Sequence, residues 1–422
     1  MTATIFKKQF TNITEINWQG KTALVREDLN VPQDEAGKIT DDTRIKAALP
    51  TIKYLLAQGA NVVLVSHLGR PKGKVISELS LKPVADRLAE LLQGSEVQQS
   101  DAKNPVQFIS ETTLDAAKNA VNQLPSGYLA VLENIRFYSE EEQNDAAFAE
   151  KLAQFADYFV NDAFGTSHRA HGSTTGIAKH LPAVAGFLME KEINSLSMVL
   201  NSDAPITAII GGSKVSTKIT VLENLMPRVK NIIIGGGMIF TFLKAQGFSV
   251  GSSLLEDDYV DLAKSLLERS GLSGMATIHL PKDIVVADRF SADAKYKTVM
   301  ADEISEGWMG LDVGPATMVA VNTLISDSTI VLWNGPLGVF EIPQFSAGTR
   351  LLAESVAKLT QEPGTQFQSI LGGGDTVAAI EQFSIPFNSF THVSTGGGAC
   401  LEFLEGKTLP GIAALMENPA KN

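Results

Sequence analysis

Short apolar runs alternate with helix-period segments along the first half of the chain. The runs predict strands at Thr22–Val25, Asn61–Ser66, Val106–Ile109, Tyr128–Leu132 and Tyr158–Asn161. Between these runs, apolar residues recur at helical spacing and predict helices at Ile45–Gln58, Lys82–Gln93, Thr112–Leu124 and Asp145–Ala156. Strict alternation of this kind indicates a parallel sheet covered by helices on both faces.

The second half of the chain repeats the alternation. Its apolar runs predict strands at Ile206–Ile210, Asn231–Ile234, Thr277–Leu280, Thr329–Trp333, Phe367–Leu371 and Thr391–Ser394. Residues 187–200 have amphipathic spacing and predict one helix between the two halves. This helix is either a connector about whose ends two domains move or an ordinary surface helix within one domain, and the sequence favours neither.

The length of 422 residues is more than one hydrophobic core usually organises. We therefore expect an α/β protein of two Rossmann-like domains, each a parallel sheet flanked by helices, joined by a hinge helix. The expected divisions are an N-terminal domain at 1–186, the helix at 187–200 and a C-terminal domain at 201–404. Residues 405–422 form a short tail whose docking the sequence does not fix, and packing back on the N-terminal domain is one option.

Composition and charge exclude several classes of protein. An apolar fraction of 44% and a charged fraction of 19% are typical of an ordinary globular protein. The formal charge of −12 argues against nucleic-acid or anionic-membrane binding. The single cysteine, Cys400, fits a reducing compartment. No apolar run suits a secretory signal or a membrane span, so we expect a cytoplasmic protein without membrane or nucleic-acid partners.

The residues that follow the strands differ between the two halves. In the first half they are polar and charged, as in Arg26-Glu27-Asp28 and His67-Leu68-Gly69-Arg70. In the second half they are glycines, as in Gly235-Gly236-Gly237. Ligands of open α/β sheets bind beyond the carboxyl ends of the strands, so the two halves are expected to bind two different ligands.

The glycine sites are suited to phosphate, because backbone N–H groups can approach closely and a helix N-terminus adds partial positive charge. The dinucleotide fingerprint fails at Gly235 to Phe240, where its third glycine is missing, and no Walker pattern is present. Gly211-Gly212-Ser213-Lys214 follows a strand, and Lys218 comes four residues after Lys214. We expect both lysines on one face at the start of a helix, in contact with phosphate; the alternative is two solvated surface lysines.

Two further segments of the second half carry candidate ligand groups. Asp375, after Gly372-Gly373-Gly374, is either a helix N-cap or a ligand of Mg²⁺, which is often held by one carboxylate and substrate phosphates. The segment from Trp333 to Glu341 offers an amide, an aromatic wall and a carboxylate for a base and a ribose.

Arginines mark the candidate site of the first half. Each presents a planar fork that matches carboxylate and phosphate groups, and they lie at strand ends or in the loops facing them: Arg26, Arg44, Arg70, Arg136 and Arg169. A lone arginine in a loop is usually only solvated, but several on one sheet edge would form a pocket for a small phosphorylated acid. His67 and His168 add donors, and Asp28 and Asn30 could accept hydroxyl protons. A zinc site at His168 and His171 is disfavoured, because the spacing is poor and no third ligand is evident.

Nine motifs, in order along the chain, resemble those of the phosphoglycerate kinase family. They are Arg26–Pro32, His67–Pro71, Leu132–Phe137, Asn161–Thr166 with His168–Ala170, Gly211–Val215, Gly235–Met238, Trp333–Pro336 with Gly338–Glu341, Gly372–Thr376 and Ser394–Ala399. Departures from the family pattern are minor. Glu27 and His171 stand where the family is variable, and Cys400 replaces a small residue after the last glycine run.

This resemblance implies reversible phosphoryl transfer from 1,3-bisphosphoglycerate to MgADP, giving 3-phosphoglycerate and MgATP, in glycolysis and gluconeogenesis. It implies a triose-acid site at Asp28, Asn30, Arg44, His67, Leu68, Gly69, Arg70, Arg136 and Arg169. It implies a nucleotide site at Gly212, Lys214, Lys218, Gly310, Asn334, Glu341, Gly373, Gly374, Asp375 and Thr376, with Asp375 on Mg²⁺. We expect a monomer whose partners are these small molecules.

The chemistry implied by the resemblance agrees with the residues present. In the ATP-consuming direction the nucleophile is a carboxylate, which is already ionised at neutral pH, so no general base is needed. Charge neutralisation and in-line placement are needed, and we assign them to Arg44 and Lys214, helped by backbone N–H groups at Gly373 and Gly396. If acid and nucleotide bind to facing sheet edges, the domains must close for transfer.

Two other classes of function stay open at this point. A two-domain α/β NAD-dependent dehydrogenase has the right fold class, although the missing fingerprint counts against it. A binding or scaffold protein could retain an inactive kinase fold, although its motif residues are intact.

Overall fold

The computed structural model of the protein describes residues 10–93 and 106–420, which form two compact units. The first unit comprises residues up to Ile193 together with those from Thr408 onward, and the second comprises Asn194–Lys407. Among the residues described, no helix is both long and apolar enough to cross a membrane.

The sheet of the first unit contains seven strands among the described residues. They are β1 (Thr11–Asn12), β2 (Thr22–Arg26), β3 (Asn61–Val65), β4 (Val106–Ile109), β5 (Leu129–Leu132), β6 (Tyr158–Asn161) and β7 (Ala183–Ala185). They pair in parallel in the order β1-β7-β6-β2-β3-β5-β4. The central strands are buried along most of their length, as expected for a parallel sheet with both faces covered.

Among the described residues, the first unit has six helices before its C-terminal tail. They are α1 (Thr43–Ala57), α2 (Lys82–Leu92), α3 (Leu114–Val121), α4 (Ser139–Glu142), α5 (Ala146–Ala153) and α6 (Phe187–Asn201). In α1 the buried residues Ile45, Ala48, Ile52 and Leu55 recur every three or four positions. The chain division between the units falls within α6, after Ile193.

The second unit contains a six-stranded parallel sheet and a three-stranded antiparallel sheet. Its strands are β8 (Ile206–Ile210), β9 (Asn231–Ile234), β10 (Thr277–His279), β11 (Asp283–Ala287), β12 (Tyr296–Met300), β13 (Met309–Val313), β14 (Ile330–Asn334), β15 (Gln368–Gly372) and β16 (His392–Val393). The parallel sheet has the order β10-β9-β8-β14-β15-β16, and the antiparallel sheet has the order β12-β11-β13. Its helices are α7 (Ile219–Leu225), α8 (Ile239–Ala245), α9 (Val260–Arg269), α10 (Pro315–Ser326), α11 (Ala347–Gln361), α12 (Gly374–Gln382) and α13 (Gly398–Leu404).

The tail of the chain ends in one more helix, α14 (Pro410–Glu417), which packs within the first unit. Gly411 N donates to Ser167 O at 2.9 Å. Beyond the helix, Ala420 N donates to Ala183 O at 3.0 Å, and Ala183 N donates to Asn418 O at 2.8 Å. These bonds fix the tail beside β7.

The strand predictions are confirmed, four of them with the same bounds, at Val106–Ile109, Tyr158–Asn161, Ile206–Ile210 and Asn231–Ile234. The α/β class with parallel sheets flanked by helices is confirmed as well. The short edge strands β1 and β7 and the whole antiparallel sheet were not predicted. The hydrophobic pattern of β12 is weak because most of its residues are exposed at the sheet edge.

In both units the strand order reverses at a central pair of strands. In the first unit the chain leaves β2 toward β3 on one side, and β6 lies on the other side. In the second unit β8 has β9 on one side and β14 on the other. Such switch points open a crevice at the carboxyl ends of the strands, and the polar and glycine motifs of the sequence lie at these ends.

Candidate functional site

At the switch point of the first unit, several arginines surround the buried ring of His67. Its side chain follows β3 and is almost fully buried. Burial lowers the pKa of His67 well below its ordinary value, and the charges of the nearby arginines lower it further; they are Arg26, Arg136, Arg44 and Arg169. His67 is therefore a neutral donor or acceptor at physiological pH, and the structure brings together the arginines that the sequence placed far apart.

The segment after β2 contributes the acidic and amide groups of this site. Arg44 Nη1, on the first turn of α1, donates to Asp28 Oδ2 at 2.5 Å. Asp28 Oδ1 also lies 3.9 Å from His67 Nδ1. The Asn30 side chain accepts a 2.8 Å hydrogen bond from Gly69 N, so it fixes the loop after β3 and is already engaged.

The loop after β3 is held by Asn134, which was not selected from the sequence, and by Arg136, which was. Asn134 Nδ2 donates to Leu68 O at 2.7 Å, and Arg136 Nη1 donates to Gly69 O at 2.9 Å. The Leu68 side chain is buried, so only its backbone can reach a ligand. Arg70, at the end of this loop, is exposed.

The placement of Arg26 among the ligand-facing arginines was wrong. Its side chain is fully buried. Its Nε donates to Ser173 Oγ at 2.8 Å, its Nη2 lies 3.3 Å from His67 Nδ1, and the charge of Glu141 acts on it. Arg26 is therefore a positive charge beneath the site.

The loop after β6 supplies the last arginine of the site. Arg169 Nε lies 3.2 Å from His168 Nε2. Burial lowers the pKa of His171 to about 4, and neighbouring positive charges contribute, chiefly Arg136. Within the described ranges, the structure groups no three His, Cys, Asp or Glu side chains as a metal site.

A cavity of about 590 Å³ lies at the glycine-ended strands of the second unit. Its wall includes Gly212, Gly236, Gly237 and Gly310, and its acidic side chains are Asp312, Glu341 and Asp375. The rest of its wall is largely apolar and includes Phe240, Leu254, Phe290, Met309, Leu311, Leu337 and Phe340. Leu337 and Phe340 lie in the segment Trp333–Glu341 that the sequence marked for a base. The other apolar residues were not selected, because they lie outside the motifs.

Close backbone approach explains the glycines at the switch point of the second unit. A Cβ at Gly211 would lie 2.0 Å from Pro336 O, and one at Gly236 would lie 2.5 Å from Gly212 O. A Cβ at Gly310 would lie 2.2 Å from the Phe240 ring. Any side chain at these positions would therefore force the loops apart or fill the cavity.

The expectation that Lys214 and Lys218 share one helical face was wrong. A 3₁₀ turn spans Val215–Thr217, and α7 begins only after Lys218. Lys214 is exposed, whereas Lys218 is partly buried and its Nζ donates to Asn334 Oδ1 at 2.6 Å. Burial lowers the pKa of Lys218, and nearby acidic groups, including Asp375, oppose this shift.

The turn at the start of α12 combines a strained glycine with an exposed carboxylate. Gly373 has φ +93, which favours glycine, and Gly374 is exposed. Asp375 lies in the first turn of α12, is exposed and is not its N-cap. Thr376 is fully buried and its hydroxyl bonds Gly372 O and Gly335 N, so only its backbone could bind a ligand.

At the last glycine run, the backbone donors are partly engaged. Gly396 N donates to Ser394 Oγ at 3.1 Å. Gly397, with φ +51, precedes α13. The Gly396 N–H would have to exchange this partner to reach a ligand.

Comparison with known proteins shows which family this chain resembles. The family model described as phosphoglycerate kinase matches residues 13–407. A cytosolic phosphoglycerate kinase of Nicotiana tabacum is 52% identical over 97% of this chain and 98% of its own, and one of Synechococcus elongatus is 51% identical over the same shares. A solved phosphoglycerate kinase structure from Coxiella burnetii has 42% identity and a TM-score of 0.86, covering 97% of this chain and all of that one.

The chain belongs to the phosphoglycerate kinase family. It is a phosphotransferase with a carboxyl group as acceptor, transferring phosphate reversibly between 1,3-bisphosphoglycerate and ADP. The comparisons give no support to the dehydrogenase alternative.

Proposed function

We propose that the first unit binds the triose acid and the second unit binds the nucleotide with Mg²⁺. The contrast between the two candidate sites carries this proposal: several arginines act on one buried histidine in the first unit, whereas glycines and apolar side chains wall the cavity of the second. A small, multiply charged acid needs the arginines. An extended nucleotide needs an apolar surface for its base and backbone N–H groups for its phosphates.

In the first unit, Arg44, Arg136 and Arg169 bind the carboxylate and phosphate of the acid through their planar forks. Arg70 is the exposed member of this set. Asp28 orients Arg44 and accepts from the hydroxyl of the acid, and neutral His67 adds a further polar contact. Asn30, Leu68 and Gly69 contribute the shaped loop, since their side chains or amides are already bonded or buried.

In the second unit, the apolar wall around Gly310 holds the base, and Glu341 holds the ribose hydroxyls. Gly212, Lys218, Gly374 and the Thr376 backbone hold the phosphates. Asn334 positions Lys218 through their 2.6 Å hydrogen bond.

The residues present fit a bound Mg²⁺. Asp375 is an exposed carboxylate in the first turn of α12, and Mg²⁺ is often held by one carboxylate together with substrate phosphates and waters. When bound, the ion would neutralise charge on the phosphates of the nucleotide. Asp375 would be its protein ligand.

The transfer itself needs charge neutralisation more than proton transfer, because the attacking carboxylate is ionised at neutral pH. Lys214 and Arg44 neutralise the transferring phosphoryl group. Gly373 donates a backbone N–H, and Gly396 does so only after releasing Ser394. Preorganised donors of this kind supply most of the stabilisation of a charged transition state.

One assay tests the activity on which the proposal rests: formation of ATP from 1,3-bisphosphoglycerate and MgADP by the purified chain. We expect ATP formation that requires both substrates and stops on chelation of Mg²⁺. Absence of ATP formation with all components present would overturn the proposal. We further propose that the protein is cytoplasmic and that it is a monomer; light scattering of the purified protein tests the monomeric state.

A further inference from the structure

Two buried carboxyl groups lie together at the switch point of the first unit, beside the proposed acid site. Glu27 follows β2 and is 1% exposed, and Asp162 follows β6 and is fully buried. The strands pair in register up to Arg26 and Asn161, and Asp162 N donates to Arg26 O at 3.0 Å. The two side chains are therefore neighbours across the sheet, within hydrogen-bonding reach of each other.

Each of these carboxyl groups has an oxygen without any hydrogen-bond donor. Glu27 Oε1 and Asp162 Oδ2 are both buried and unpartnered. Two ionised carboxylates in contact inside a protein repel each other and are poorly solvated, so such a pair retains a proton between them. One proton on the pair would provide the missing donor.

The other contacts of Asp162 indicate which group holds the proton. Asp162 Oδ1 accepts from Met189 N at 2.9 Å, in the first turn of α6, and its carboxylate also bonds Thr51. The Thr51 hydroxyl in turn accepts from Phe187 N at 3.0 Å. These donors and the helix N-terminus stabilise an ionised Asp162, which leaves Glu27 as the neutral acid.

Arg26, the cation next to Glu27, forms its hydrogen bonds with other groups. Arg26 donates to Ser173 and to the Glu27 backbone carbonyl and lies beside His67, and Asp28 is paired with Arg44. The charged groups that act on Glu27 are Asp162, Arg26 and Asp28, and Arg26 in turn interacts with Glu141 and His67. Ionisation of Glu27 would add a negative charge to a set that already contains several carboxylates.

We propose that Glu27 is a neutral carboxylic acid that donates a hydrogen bond to the Asp162 carboxylate, and that this pair is a positioning device for the acid site. It anchors the first turn of α6 to the ends of β2 and β6. It also keeps a negative charge away from Asp28 and from the anionic substrate. The second role rests on the proposed placement of the triose acid in the first unit, whereas the first role does not.

Infrared difference spectroscopy in D₂O tests the protonation state directly. We expect a carbonyl stretch of a protonated carboxylic acid in the wild type at pH 7.5 that is missing from Glu27→Gln. Glu140→Gln, which changes an exposed glutamate of the same unit, should keep the band. An identical spectrum in Glu27→Gln would overturn the proposal. If this variant does not fold, the wild type is labelled with ¹³C-glutamate instead. The label should shift the frequency of the band, and an unshifted band would also overturn the proposal.

A second variant tests the pairing with Asp162. Asp162→Asn removes the facing negative charge, so the pKa of Glu27 should fall and the band should disappear at lower pH than in the wild type. A band that disappears at the same pH would show that the two groups do not share a proton.

The role at the acid site is tested by kinetics. The KM for 3-phosphoglycerate is measured in the wild type and in Glu27→Gln, and the first value is divided by the second. We expect this ratio to rise about threefold or more across the pH range in which the infrared band disappears, because one added negative charge near the site weakens anion binding. The ratio cancels the titration of the substrate. A constant ratio with the band present would overturn the role at the acid site and leave the shared proton intact.

Discussion

On the proposed assignment, the two units bind multiply charged phosphate compounds by opposite means. The first unit uses side-chain charges and must hold them in place, as Asp28 does for Arg44 at 2.5 Å. The second unit uses bare backbone, and it secures this backbone by packing Gly211 against Pro336 and Gly236 against Gly212. Anion sites made of side chains therefore depend on counter-charges, whereas those made of backbone depend on the absence of Cβ atoms.

The comparison of the two units predicts the largest loss of turnover for the two cations assigned to the transferring phosphoryl group. Arg44→Ala and Lys214→Ala should each lower turnover on the order of 10²-fold or more, because a charge that stabilises the transition state is lost. ADP affinity should largely survive in Arg44→Ala. Steady-state kinetics and calorimetry measure both, and Lys230→Ala, at an exposed lysine of the second unit, is the control. Near-normal turnover in both variants would remove the assignment.

Adding one methyl group at a glycine of the second unit should lower its stability where the glycine is closely packed. Gly310→Ala places a Cβ 2.2 Å from the buried Phe240 ring, so it should lower the free energy of unfolding by about 1–3 kcal/mol and weaken ADP binding. Gly374→Ala is the matched control, since no atom lies within 4 Å of its Cβ. Urea unfolding without ligand measures the stabilities, and equal stability of the two variants would contradict the close-packing account.

Replacing the carboxylate of Asp375, at the start of α12, should change only the Mg²⁺ requirement of the reaction. Asp375→Asn should raise the Mg²⁺ concentration needed for half-maximal ATP formation about tenfold, because one anionic ligand is lost. The KM for 1,3-bisphosphoglycerate, measured at saturating Mg²⁺, should not change. An unaltered Mg²⁺ requirement would exclude Asp375 as the ligand.

The smallest predicted effect is a pH dependence of the folding stability of the second unit. Burial raises the pKa of Asp312 to about 7, against the opposing bonds from Gly348, Val313 and Ala347. The folded state then binds more protons than the unfolded state between the ordinary carboxyl range and pH 7, so this contribution to stability falls as the pH rises through that window. The slope is at most about 1.4 kcal/mol per pH unit for one proton.

The Asp312→Asn variant should lack this contribution. The urea midpoint of the wild type, measured relative to that of Asp312→Asn, should therefore decline from pH 5 to pH 8. A relative midpoint that stays constant or rises would show that Asp312 is already ionised at pH 5.

The sequence predicted the fold class and most strands, because buried parallel strands are continuous apolar runs. It did not reveal β12, most of whose residues are exposed at the sheet edge, and it also missed β11 and β13, although both are largely buried. For the site, motif residues such as His67 and Asp375 could be found at strand ends. Sequence position could not tell that Arg26 is buried beneath the site or that Lys218 bonds Asn334, because burial and side-chain partners are decided by residues distant in the chain.

The division of labour between the units is tested most directly by a crossed titration. Calorimetry measures the affinities for 3-phosphoglycerate and for MgADP in Arg169→Met and in Lys218→Met, each of which removes one cation. We predict that Arg169→Met loses affinity for 3-phosphoglycerate alone and that Lys218→Met loses affinity for MgADP alone. Loss of the opposite ligand in either variant would contradict the assignment of acid to the arginine-ended strands and nucleotide to the glycine-ended strands.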